Sequence, residues 1–163
     1  MADVTFLELG PESLELIRPL WEKLNDHHLV RSPNFRQHYE QMTFDIRKAD
    51  LLKKEQLRVI LAIAGRIPVG YCVCTVAGDT GEVDSIFVED AYRRSGIGEQ
   101  LMYRAIAWLK AAEVKKLIVA VAAGNEAAIA FYESFGFMPR MTVLQLVGDD
   151  MTKGMLGHKR PRS

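Results

Sequence analysis

The chain is poor in cysteine, carries no excess of either charge and has no long apolar run. Of its 163 residues only two are cysteine. Cys72 and Cys74 sit two apart in a strand-like run and share one face. That is neither a metal-ligand spacing nor a redox pair, so both read as buried spectators and no metal site is expected. The 21 Lys and Arg residues balance 21 Asp and Glu residues. Without a basic footprint, nucleic acid is not expected as a partner. Apolar runs such as residues 59–64 and 117–123 fall far short of the roughly 18 residues of a membrane span, so no membrane role is expected. Met1-Ala2-Asp3-Val4 lacks the basic and apolar regions of a secretory leader. A cytoplasmic location is therefore expected.

What is present reads as one domain over residues 1–148, long enough to bury roughly 68–70% of its unfolded surface. The tail, residues 149–163, is polar, basic at Lys159, Arg160 and Arg162, and aperiodic. It is expected to be flexible. Residues 4–9 read as a strand, and Gly10-Pro11-Glu12 opens a helix whose stripe is Leu14, Ile17, Trp21, Leu24 and His28. A second helical region runs from Ser32-Pro33 to about Lys54, with Phe35, Tyr39, Met42 and Ile46 as its buried side. Residues 57–64 and 69–76 form a hairpin across Gly65-Arg66-Ile67-Pro68, and residues 82–88 follow as a further strand. A helix over residues 98–112 leads to an apolar strand over residues 116–122, which reads as buried on both faces. A short helix over residues 125–134, closed by Gly136, precedes a last strand over residues 141–147. The strands on either side of the 98–112 helix form a βαβ unit and hence a parallel pair. The fold class is mixed α/β.

Arg93-Arg94-Ser95-Gly96-Ile97-Gly98 joins the strand to the helix of that unit. Glycines let backbone approach a ligand, and a helix N-terminus offers unpaired N–H groups and the positive end of its dipole to an anion. A dinucleotide fingerprint would place a third glycine at position 101, which is Leu101, and an acid after the next strand, which ends in Ala120-Val121-Ala122. That ligand is not supported.

Glu82-Val83-Asp84-Ser85-Ile86-Phe87-Val88 followed by Tyr92-Arg93-Arg94-Ser95-Gly96-Ile97-Gly98 resembles the signature strand and loop of the GNAT superfamily of acyl-CoA-dependent N-acetyltransferases. Asn125-Glu126-Ala127-Ala128-Ile129-Ala130-Phe131-Tyr132-Glu133-Ser134-Phe135-Gly136-Phe137 resembles its second signature helix. The resemblance spans residues 57–147, while the N-terminal helices match only in kind. It implies a GNAT-like fold: a central mixed sheet of about six to seven strands, a splayed parallel pair, N-terminal helices and flanking helices. It also implies acetyl-CoA as acyl donor and an amine, on a small molecule or a protein, as acceptor. The backbone of Arg94, Ser95, Gly96, Ile97 and Gly98 would hold the CoA pyrophosphate, with charge from Arg93 and Arg94. Pantetheine would pair with backbone near Ile86, Phe87 and Val88, which requires the parallel strands to diverge beyond Val88 and Val121. Asn125 matches the family's cofactor-contacting Asn and equally stands where a helix N-cap belongs.

Acyl transfer needs a neutral amine, an electrophilic thioester and a way to stabilise the departing thiolate. The resemblance assigns the last role to Tyr132, facing the CoA sulfur, as a hydrogen-bond donor. Freeing a lysine-like amine at pH 7 costs roughly 4.6 kcal/mol and an α-amine only about 1.4. Glu82 stands where the histone-acetylating branch carries its basic glutamate, and Asp84 shares its strand face; either could act, directly or through water. The branch that acetylates ribosomal-protein N-termini carries a glutamate where this chain has Ala120. The family's acceptor pocket would fall to Trp21, His27, His28, Arg31, Phe35 and Tyr39, none of which spells a substrate. A homodimer is a further expectation, since only one strand follows Gly136 where the family often has two. The alternative to an enzyme is a catalytically silent acyl-CoA-binding or protein-interaction module.

Overall fold

A computed structural model describes residues 3–148. The expected flexible tail, residues 149–163, lies outside the described residues. Five strands, β1 (Val4–Leu9), β2 (Gln56–Ala64), β3 (Ile67–Ala77), β4 (Thr80–Val88) and β5 (Lys116–Val119), form one sheet in sequence order. β1 to β4 are antiparallel, and β5 joins β4 in parallel. Between β1 and β2 a 3-10 stretch (Pro11–Ile17) runs into α1 (Arg18–Arg31), followed by α2 (Arg36–Gln41) and α3 (Phe44–Leu51). The crossover helix α4 (Ile97–Ala111) connects β4 to β5, and α5 (Ala127–Glu133) follows β5.

Strand alternation divides the core into two layers. Ile60, Ala62, Cys72, Cys74 and Val83 face α4 and bury its stripe of Leu101, Met102, Ala105 and Leu109. Val59, Leu61, Tyr71 and Val73 face the other way, against Leu14, Ile17, Trp21, Phe44 and Leu51. The two cysteines share the α4 face as their spacing requires. Burial pushes the Cys74 thiol up to about 12 and raises Cys72 well above its usual range. Gly81 lets β4 pass under α4, because a Cβ there would meet Leu109 Cδ2 at 2.9 Å and Leu117 Cδ2 at 3.0 Å.

Four expectations are corrected. The second helical region breaks at Thr43, whose hydroxyl accepts from the Ile46 amide at 3.2 Å and so caps α3. The break resets the helical phase, so Phe44 is buried and Ile46 faces solvent. β5 stops at Val119 and is covered on one face only, with Ile118 exposed on the other. Residues 141–147 form no strand, since among the described residues no neighbouring strand satisfies their backbone. The sheet of the described residues therefore has five strands, not six to seven.

Leu101→Ala, in the fully buried stripe of α4, should lower stability by about 2–5 kcal/mol. Ile46→Ala should change it by less than about 0.5 kcal/mol. Urea midpoints of the two variants check both the core and the reset phase of α3.

Candidate active site

The parallel ladder of β4 and β5 runs only from Thr80/Lys116 to Val83/Val119. Its end coincides with a bulge: Val73 faces Ser85 and Cys74 faces Val83, leaving Asp84 without a partner on β3. A bulge bends its strand and increases local twist, and from Asp84 onward the two strands part. Divergence thus begins at Asp84 and Ala120, earlier than the Val88 and Val121 expected from the sequence. The edge of β4 facing β5 is left without a ladder over residues 84–88.

A cleft of about 370 Å³ occupies the gap. Val83, Asp84, Ser85 and Ile86 form one wall and Val119, Ala120, Val121 and Ala122 the other, while Asn125 and Tyr132 close it from α5. The remaining wall is helical: Trp21, Leu24, Asn25 and His28 present one face of α1, joined by His38, Tyr39, Met42 and Arg47. Asn25 Nδ2 donates to the Tyr39 carbonyl at 2.9 Å and ties α1 to the segment after it. Burial lowers the pKa of His28, with the charge of His27 adding to the effect, so its imidazole is held toward the neutral form.

Asp84 is the buried acid of this cleft. Its Oδ2 accepts from Thr75 Oγ1 at 2.6 Å, and Arg47 approaches from α3, its Nη2 donating to the Asp84 carbonyl at 3.3 Å. The guanidinium reaches Oδ1 only at 3.9 Å, too far to offset desolvation. Burial therefore pushes the carboxyl up to about 6, with the neighbouring Glu82 charge acting in the same direction against Thr75 and Arg47. Glu82 itself sits within the ladder opposite Ile118 and does not line the cleft. Ser85 is engaged with Tyr71, whose hydroxyl lies 2.6 Å from Ser85 Oγ.

Burial pushes the Tyr132 phenol up to about 12. It is therefore a neutral hydrogen-bond donor in the cleft and a poor acid. Asn125 lines the cleft as well, and α5 is preceded by Glu126 with no side-chain cap. Of its two readings, the helix cap is not the one the structure adopts. The loop before α5 is clamped to the end of α1: Ser32 Oγ donates to the Ala123 carbonyl, and Gly124 has φ +91° with a would-be Cβ 2.1 Å from the Arg31 carbonyl oxygen. Only glycine fits there.

The loop at residues 93–98 is shaped by left-handed residues at Arg94 (φ 63°) and Gly96 (φ 82°). The Gln100 amide makes a bond to the Gly96 carbonyl, so the amides of Ile97, Gly98 and Glu99 lie ahead of the helical ladder. No atom stands within 4 Å of a would-be Cβ on Gly96, and one on Gly98 would stand 3.5 Å from the Phe131 ring, an ordinary packing distance. Gly96 thus serves the open turn, and Gly98 lies where α5 packs on α4. Arg93 is folded back, its Nε donating to the Val88 carbonyl at 3.0 Å and its Nη1 2.9 Å from Asp90 Oδ1. Ser95 Oγ donates to the Tyr92 carbonyl. Arg94 makes no such bond in the loop and is exposed.

Of the sequence candidates, Ile86, Asn125, Tyr132 and Asp84 meet in the cleft. Phe87 is buried in the core layer facing α1, and Val88 packs against the α4 layer. Trp21, His28 and Tyr39 of the acceptor set line the cleft, and His27, Arg31 and Phe35 do not. Asn25, His38 and Arg47 were not singled out by sequence, and Met42 only as part of a buried helix face. The three-four spacing of Trp21, Leu24, Asn25 and His28 was the available signal for Asn25.

The profile of the acetyltransferase (GNAT) family matches residues 21–137. The chain belongs to the GNAT family. A stretch of 67 residues is 37% identical to [ribosomal protein bS18]-alanine N-acetyltransferase of Escherichia coli K12, covering 41% of this chain and 45% of that protein. The chain thus matches about half the length of this curated relative. Among solved structures, a putative acetyl transferase from Pyrococcus furiosus superposes with a TM-score of 0.69 at 23% identity, covering 88% of this chain and 99% of that one. An aminoglycoside N-acetyltransferase AAC(6')-Iy in complex with CoA gives 0.64 at 16% identity, covering 91% and 96%. At such identities the likeness is one of fold.

Because the folded-state pKa of Asp84 is raised, its contribution to stability is full below about 4 and is lost as pH rises through about 6. Asp84→Asn should melt higher than the unsubstituted protein at pH 8, with the gain vanishing toward pH 4. Gly124→Ala should lower the melting temperature at every pH, since the loop must leave Arg31. Calorimetric scans across pH check both.

Proposed function

We propose that the protein is an N-acetyltransferase that passes the acetyl group of acetyl-CoA to a primary amine by direct attack in a ternary complex. The cleft that opens where β4 and β5 part carries this reading, because it gathers a strand edge without a ladder, a buried carboxyl and a half-buried phenol in a chain of this family. In it, the amides of Ile97 and Gly98 and the side chain of Arg94 bind the CoA pyrophosphate at the positive end of α4. Arg93 braces the loop. Pantetheine adds to the edge of β4 at residues 85–88, and Asn125 meets it from the opposite wall.

The amine enters along the α1 wall and gives up its proton to Asp84. Its lone pair attacks the thioester carbonyl, the C–S bond breaks, and Tyr132 donates a hydrogen bond to the departing thiolate, which takes the second proton that the nitrogen sheds as the amide forms. A thiolate corresponds to a pKa near 8.5, about 3.5 units below the phenol. Full proton transfer from Tyr132 would cost roughly 5 kcal/mol, so hydrogen bonding is its role. Moving a proton to Asp84 at about 6 costs roughly 3 kcal/mol from an α-amine and roughly 6 from a lysine side chain. The acceptor favoured by this acid is an amine of lowered pKa, such as a peptide α-amino group. The carboxylate comes from β4, since Ala120 offers none on the β5 wall.

Thiol release from acetyl-CoA should be measured with a peptide α-amine, a lysine peptide and an aminoglycoside, and the α-amine should give the highest kcat/KM. Acetyl-CoA binding with no thiol release across the panel would instead assign the chain to cofactor binding alone. Tyr132→Phe should lower kcat by about a hundredfold and leave the acetyl-CoA KM within about threefold. The acid limb of kcat/KM should fall near pH 6 and disappear in Asp84→Asn. Glu82→Gln should move that limb to lower pH, because the Glu82 charge raises Asp84. A Glu82→Gln variant with no acid limb would transfer the base role to Glu82.

A further inference from the structure

One charge on the helical wall of the cleft takes no part in the transfer described above. Arg47 enters from α3 and lines the cleft with its side chain 30% exposed. A guanidinium carries a planar fork of N–H donors. Among the described residues Arg47 uses one of them, Nη2 to the Asp84 carbonyl at 3.3 Å, and stands 3.9 Å from Asp84 Oδ1 without bonding to it. The Asp84 carboxyl takes its hydrogen bond from Thr75 instead. The rest of the fork is available to a ligand.

The other lining residues narrow what that ligand is. Asp84 is the single acid among them, and burial holds His28 toward its neutral form. Arg47 supplies their one permanent positive charge. An acceptor with several ammonium groups would find one acid for all of them and a guanidinium beside it, a juxtaposition that works against binding. An acceptor with a carboxylate next to its amine matches both groups, the amine at Asp84 and the carboxylate across the Arg47 fork. Arg47 Nη2 and Asp84 Oδ1 are 3.9 Å apart. Partners bound to them side by side, at about 2.8 Å each, themselves stand roughly 4 Å apart, which suits an amine and a carboxylate on the same carbon. Trp21, Leu24, Tyr39 and Met42 complete that wall and suit an apolar or aromatic side chain.

We propose that the acceptor is a free apolar α-amino acid whose carboxylate pairs with Arg47 while its amine faces Asp84. This narrows the acyl-transfer reading and rests on it. The ammonium nitrogen exchanges two protons for the acetyl group, one going to Asp84 and one to the departing thiolate, and the carboxylate stays bound throughout. The pairing also serves the chemistry. An α-carboxylate favours the charged form of its own amine, and the Arg47 charge offsets that field, easing the proton toward Asp84. A peptide N-terminus has no such carboxylate and leaves the fork unmatched.

Thiol release from acetyl-CoA should be measured with leucine, phenylalanine and tryptophan, each as the free acid, as its amide and at the head of a C-amidated peptide. At least one free acid should exceed its own amide by about tenfold or more in kcat/KM, chiefly through KM. Arg47→Gln should bring that ratio to one or below, and Arg47→Lys should restore part of it. Because the ratio compares two acceptors on one protein, a general loss of stability or of Asp84 function cancels from it. Should the Arg47 variants fail to fold, calorimetric titration of the unsubstituted, CoA-loaded protein decides, with the free acid expected to bind about tenfold tighter than its amide. Amides or peptides that match every free acid, or a preference that survives Arg47→Gln, would overturn this acceptor and leave acyl transfer in place. Thiol release from none of these amines, nor from the lysine peptide or aminoglycoside, would overturn the acyl-transfer reading and this acceptor with it.

Discussion

The site depends on one extra residue in β4. Asp84 has no partner on β3, and the bend it introduces ends the parallel ladder at Val83 and Val119. Had the register continued, the strands would have bonded to each other, and neither a cleft nor a vacant β4 edge would exist. The bulge also sets Asp84 and Ser85 toward the helical layer, where Thr75 and Tyr71 engage them. Opening of the sheet and delivery of the buried acid are therefore one local event. Bulges near active sites commonly act by re-aiming a side chain in this way.

Around that opening, the two core layers take separate tasks. The α4 layer carries the elements assigned to the donor: the turn at Gly96, the amides that follow it, and α5 packed alongside through Phe131. The layer of α1 and α3 supplies the wall assigned to the acceptor, from Trp21 to Arg47. The clamp between Arg31, Ser32 and the loop at Gly124 joins the layers at one end of the cleft.

How much of this was legible in the sequence followed the range of the interactions involved. The strand-loop-helix at residues 82–111, the hairpin and the shared face of Cys72 and Cys74 rest on local periodicity, and they stand as read. The cap at Thr43 was equally local, but a stripe running through it masked the phase change that exposes Ile46. The bulge at Asp84 is set by pairing with β3, so strict alternation along β4 could not show it. Arg47 reaches the cleft only because α3 packs across the sheet, and nothing near it in sequence carries that information. The strand expected at residues 141–147 has the right pattern and finds no neighbouring strand among the described residues.

The closeness of α5 to the first turn of α4 gives the proposed reaction a built-in ruler. A Cβ built on Gly98 would stand 3.5 Å from the Phe131 ring, so the two elements pack side by side. In the proposed scheme the first turn of α4 receives the pyrophosphate, and Tyr132, next to Phe131, meets the sulfur. On that scheme the anionic end and the reacting end of the donor are held a fixed interval apart, and a thioester on a shorter or longer arm would present its carbonyl out of reach of both phenol and amine.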